Sequence, residues 1–136
     1  MNKLMQNLPY YKDLLYIYAQ DLEYEKKYEI AIDIYKRIVN LGDEKGIKHI
    51  ANIYITQSAL KKITKSNLTL DFKKLLSWIK KLSNRYPEEI FKVVYLFLAF
   101  NILSKKEKKQ YLSFLKNTNN KIAKKYFDIL SKGEIK

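Results

Sequence analysis

Cysteine is missing from the chain, so neither a disulfide framework nor a thiolate metal site is available to it. Glycine and proline are nearly as scarce, at 3 and 2 residues, which leaves little turn chemistry for hairpin sheets. All-α is therefore the natural fold class. Histidine occurs once, at His49, with no Cys partner and no recognisable Ser/His/Asp arrangement around it. No glycine-rich phosphate loop exists either: Gly42 and Gly46 flank a helix start, and nothing resembling GxxxxGK follows. The acidic residues Asp21, Glu23, Glu25 and Glu29 lack the loop spacing of a calcium site. Neither catalysis nor a cofactor nor a metal is expected. Residues 1–20 contain no uninterrupted apolar core and no small-residue cleavage site, so no signal peptide is expected and the cytoplasm is the expected compartment.

What is present is apolar periodicity. Hydrophobic residues make up 47% of the 136, too many for a disordered chain and enough for one domain, residues 1–136, with a real core. Leu15, Tyr18, Ala19 and Leu22 mark one helical face at the i, i+3, i+4, i+7 spacing. Ala31, Tyr35 and Ile38 mark a second helix, which Gly42 stops. Ile47, Ile50, Ala51 and Tyr54 then repeat the first stripe 32 residues later. A period of about 34 residues is that of a helix–turn–helix repeat, because a single hairpin cannot bury its own apolar face.

This pattern resembles the tetratricopeptide family and its Sel1-like relatives, with Ala19 and Ala31 in the small-residue positions that let two helices approach closely. The same register reaches Leu75, Ile79 and Leu82, then Pro87 at the family's terminal-proline position, then Val93, Leu96, Phe97 and Phe100. An insertion of about twelve residues separates Tyr54 from Leu75, and Leu75 and Phe97 stand where small residues are usual. The resemblance implies an α-α superhelix of about three antiparallel hairpins plus a C-terminal capping helix. It also gives Lys48 and Asn52, one turn apart, the look of a carboxylate grip on a peptide's C-terminus. The helix that would complete such a clamp instead offers Phe91, Val94, Tyr95 and Leu98.

In chain order, Pro9 suits the start of a first helix, Asp43 caps a third, and Asn67 or Thr69 caps a fourth. That fourth helix carries Phe72, Leu75, Leu76, Ile79 and Leu82 as a clean stripe. Residues 90–103 are apolar nearly all round yet too short to span a bilayer, so they form a buried or partner-covered helix. With Val93, Leu96, Phe97 and Phe100 turned to the core, Phe91, Val94 and Leu98 would line a groove for a protein partner. Ser104 and Glu107 form a capping box, Asn119 or Asn120 caps a last helix, and Gly133 is its expected stop.

Charge is unevenly placed. Residues 1–45 hold 7 basic and 8 acidic residues, whereas residues 46–136 hold 20 and 6, within a formal net charge of +13. Such asymmetry suits an anionic partner, although a lysine-rich composition alone also solubilises a surface. The leading expectation is a non-catalytic adaptor or assembly subunit that binds a protein segment in a helical groove through Lys48, Asn52, Phe91, Val94 and Leu98. The alternative is a small basic subunit that tracks a nucleic-acid backbone within a ribonucleoprotein. Lys73, Lys74, Lys80, Lys81 and Arg85 would carry it, with Lys61, Lys62 and Lys65 beside them and Trp78 or Tyr86 for base stacking.

Overall fold

The computed structural model describes residues 10–63 and 70–134. Seven helices and no strand occur among them: α1 (Tyr11–Tyr24), α2 (Tyr28–Asn40), α3 (Lys45–Ile63), α4 (Phe72–Leu82), α5 (Pro87–Ala99), α6 (Lys105–Asn117) and α7 (Lys121–Glu134). The protein is all-α. Its residues group into two compact units, Met1–Ile53 and Tyr54–Lys136, with the boundary inside α3. Expectations resting on Pro9, Lys65, Asn67 and Thr69, and on the side chains of Lys61 and Lys62, lie outside the described residues.

In the first unit, α1 and α2 pair as a hairpin. Tyr11, Leu15, Ala19 and Leu22 are buried along α1, and Ala31, Tyr35 and Ile38 along α2. Ala19 and Ala31 are both fully enclosed, as a close helix crossing requires. Tyr18 departs from its expected place, since it is 48% exposed and lies outside the buried stripe. A tyrosine reads as apolar in a periodicity count, but its hydroxyl is readily left in water.

Both turns of this unit close in the same way. After α1, the Lys26 N–H bonds the Glu23 carbonyl and the Lys27 N–H bonds that of Leu22. After α2, the Gly42 N–H bonds Val39 and the Asp43 N–H bonds Ile38. This is the Schellman arrangement, which needs a left-handed residue at its pivot. Gly42 takes φ 105° without a Cβ penalty, whereas Lys26 holds φ 64° with one. Lys26→Gly should therefore raise stability by about 0.5–1 kcal/mol, the relieved strain exceeding the extra flexibility of the unfolded glycine. A rise in the urea midpoint is the check, and an unchanged or lower midpoint would contradict it.

The second unit is built around α5, which packs against α4, α6 and α7. Its aromatic centre is Tyr54, Phe72, Phe97 and Tyr111. Tyr54 and Phe72 meet edge to face at 5.1 Å, Phe72 and Phe97 at 5.5 Å, and Phe97 and Tyr111 lie 6.0 Å apart. The buried Tyr111 hydroxyl donates to the Phe72 carbonyl at 2.6 Å, tying α6 to the start of α4. Burial, followed by the nearby Tyr54, Glu107 and Asp71, pushes that hydroxyl's pKa far above the usual tyrosine value.

Helix starts follow side-chain chemistry closely. Ser104 and Glu107 exchange both capping-box bonds, at 3.0 and 3.2 Å. Asn120 accepts from the Ile122 and Ala123 N–H groups, and Pro87 opens α5. For α4 the cap is Asp71, which accepts from the Lys74 N–H at 2.9 Å. Likewise α7 continues through Gly133 to Glu134, and Gly133 is not its stop.

Candidate binding surfaces

The groove expected on α5 is filled by the protein itself. Phe91 is 1%, Val94 0% and Leu98 7% exposed, so none of them lines a surface open to a partner. Phe91 packs on Phe114 of α6 at 5.7 Å, and α7 lies along α5 as well. The buried face of α5 comprises Ile90, Phe91, Val93, Val94, Phe97 and Leu98, and it is Phe100, assigned to the core from sequence, that is 56% exposed. A helix with three neighbours must bury almost its whole circumference, which accounts for its composition.

Lys48 and Asn52 are both exposed on α3, one turn apart as expected. Between them, His49 turns inward and stacks flat on Tyr35, ring centroids 4.7 Å apart and planes 2° from parallel, with Tyr16 5.7 Å away. The Tyr35 hydroxyl donates to the Glu23 carboxylate. Burial and then the Asp43 charge push the Tyr16 hydroxyl up to about 12. Burial and the Glu23 carboxylate push Tyr35 further still. Both hydroxyls stay protonated at any ordinary pH, so this cluster packs α1, α2 and the start of α3 through neutral aromatic contacts. Among the described residues, no group of three or more His, Asp or Glu is placed to hold a metal.

Two surfaces stand out once these interior residues are removed. The first is the outer face of α1. Tyr10, Leu14, Ile17 and Tyr18 are 68%, 48%, 57% and 48% exposed, and Tyr24 at the helix end is 90% exposed. A spacing of three and four residues sets Tyr10, Leu14 and Ile17 on one stripe, and Tyr18 lies at its edge, between it and the buried Tyr11, Leu15, Ala19 and Leu22. Asp13, Asp21 and Glu25 border or interrupt this stripe, and helical geometry puts Lys12 on another side. Periodicity does not reveal this face, because a single inward stripe already accounts for the helix.

The second surface is a groove of about 550 Å³ between α4 and α6. Lys73 and Lys80 enter it from α4 and Lys109 from α6, with Leu76 and Phe114 as its apolar lining. Ser77, Gln110, Ser113, Asn117 and Thr118 supply neutral hydrogen-bonding groups. Of the five basic residues expected to act together, only Lys73 and Lys80 share this groove. Lys74 and Lys81 form a parallel exposed row about 100° further round α4. Arg85 lies beyond the helix end, its guanidinium 5.1 Å from the Tyr86 ring. Nothing local in the sequence links Lys109 to α4.

The described residues define an all-α protein of packed helical hairpins. No family model matches the chain, and neither curated proteins nor solved structures give a match. None of the described helices is long and apolar enough to cross a membrane.

Proposed function

We propose that the protein is a non-catalytic adaptor of helical-repeat type, binding an amphipathic segment of a partner protein along the outer face of α1. The observation that carries this reading is the exposed Tyr10, Leu14, Ile17 and Tyr18 on a helix whose core-facing stripe is already supplied by Tyr11, Leu15, Ala19 and Leu22. Contiguous apolar surface of this kind is seldom left in water unless it meets something. Covering the exposed half of Leu14 and of Ile17 contributes about 1 kcal/mol each, and two tyrosines add aromatic contact with a polar rim. The partner's chemistry follows from the border. Asp13, Asp21 and Glu25 favour an apolar ridge flanked by Lys or Arg, laid into place as a helix.

A designed Leu/Lys amphipathic peptide, labelled for fluorescence anisotropy, tests this directly. It should bind, a Leu/Glu peptide of the same pattern should bind at least tenfold more weakly, and Leu14→Ser with Ile17→Ser should remove binding without lowering the melting temperature. Equal binding of the two peptides, or binding indifferent to the double substitution, would sink the reading. Sedimentation velocity adds a further outcome: a dimer that the same substitutions convert to monomer would assign the face to a second copy of the chain instead.

A further inference from the structure

We propose that the groove between α4 and α6 binds single-stranded nucleic acid, with phosphates held by Lys73, Lys80 and Lys109 and a base resting against Phe114. This site is separate from the α1 face and stands or falls independently of it.

Charge is the first observation. The first unit carries 8 basic and 8 acidic residues, whereas the second carries 19 and 6, so the whole net charge of +13 resides in residues 54–136. A field of that size draws a polyanion towards the second unit before any contact is made. Placement is the second. None of the residues lining the groove is acidic, and the acids closest in sequence, Asp71 and Glu107, are held in helix caps. Lys73 and Lys80 lie two turns apart, about 10 Å along α4 by helical rise, and Lys109 faces them from α6. Cations on both walls suit a strand that runs between them.

Lining chemistry separates nucleic acid from an acidic peptide. Phe114 is half-buried, supported by Phe91 at 5.7 Å, and Lys80 Nζ stands 6.0 Å from its ring centroid. An aromatic ring backed by another ring is a stacking platform, and the lysine above it is free to swing to a phosphate when a base takes its place. Ser77, Gln110, Ser113 and Asn117 supply donors and acceptors together, the mixture that base edges present. Carboxylates would need donors only. Stacking on Phe114 needs a base freed from pairing, which makes the single strand the occupant.

Fluorescence anisotropy with labelled twelve-nucleotide oligouridylate and oligothymidylate decides the matter on the intact protein. Binding of at least one is expected, with a log–log salt slope of about −2, from three lysines at about −0.7 per phosphate. Lys73→Glu with Lys80→Glu should reduce affinity at least tenfold, and Phe114→Ala roughly five- to hundredfold, as lost base stacking does. Lys121→Glu with Lys124→Glu, the same charge change on exposed positions of α7, should cost far less. Circular dichroism shows whether each variant stays folded; the lysine pairs are exposed and keep the test valid even if Phe114→Ala does not. Equal losses from the two lysine pairs would overturn the groove. Competition by polyglutamate as effective as by unlabelled oligonucleotide, or tighter binding of a duplex, would overturn the single strand.

Discussion

Phe91→Ser should lower the thermal midpoint steeply, and adding Leu98→Ser should abolish the cooperative transition. Truncating a buried Phe costs about 3–5 kcal/mol, because transfer free energy and an unfilled cavity add. A serine hydroxyl left among Val94, Phe114 and their neighbours adds about 1–3 kcal/mol if it finds no partner. Domains of this size are stable by about 5–15 kcal/mol, so one substitution removes a large share and two exceed the lower half of that range. The geometry explains why the site cannot adapt. Phe91 is 1% exposed with its ring against Phe114, and α5 is held by α4, α6 and α7, so no single neighbour can move in to fill the space. Far-UV circular dichroism against temperature is the measurement. Phe100→Ser is the control, since Phe100 is 56% exposed and should shift the midpoint little. A Phe91→Ser protein that melts like the parent would restore an open groove on α5.

The contrast between Phe91 and Phe100 shows where sequence information ends. On α4 the apolar residues form one narrow stripe between lysines, and all five expected there are buried. Polar residues on the remaining faces left no second choice. On α5 almost every position is apolar, so periodicity carries no direction and could not tell Phe91 from Phe100. Only the number of neighbouring helices decides that, and it is a property of the tertiary arrangement. Caps divide along the same line. Ser104 with Glu107 is a closed local exchange and is legible, whereas the sequence before α4 offers three eligible residues within five positions, of which Asp71 is the cap. Of the candidate surfaces, the exposed lysines on α4 were visible, but their pairing with Lys109 spans 36 residues and depends on how α4 meets α6. The α1 face was hidden for a different reason. Leu14 and Ile17 add nothing to the buried stripe, and a helix apolar on two sides looks like one with a generous core.

Gly46 offers the sharpest test of the first unit, because two ordinary effects there oppose each other. Within a helix, replacing Gly by Ala usually stabilises by about 0.5–1 kcal/mol through reduced backbone freedom. At Gly46 the added Cβ would lie 2.6 Å from Val39 Cγ2 and 2.7 Å from the Tyr35 carbonyl oxygen. The Val39 methyl belongs to a β-branched side chain with few rotamers and is fully buried. The Tyr35 oxygen is backbone, part of α2, and Tyr35 itself is pinned through Glu23 on one side and His49 on the other. Neither can step aside, so α3 must move away from α2 and loosen the Tyr35–His49 stack as it goes. Overpacking of this kind costs about 1–3 kcal/mol and outweighs the helical gain. Gly46→Ala should therefore destabilise, and Gly46→Leu should do so more severely. Asn52→Ala, on an exposed face of the same helix, carries the propensity gain without the clash and should be neutral or slightly stabilising. Urea denaturation of the three variants beside the parent gives the comparison. A Gly46→Ala midpoint at or above that of the parent would mean that α3 does not approach α2 as closely as the Tyr35 carbonyl requires.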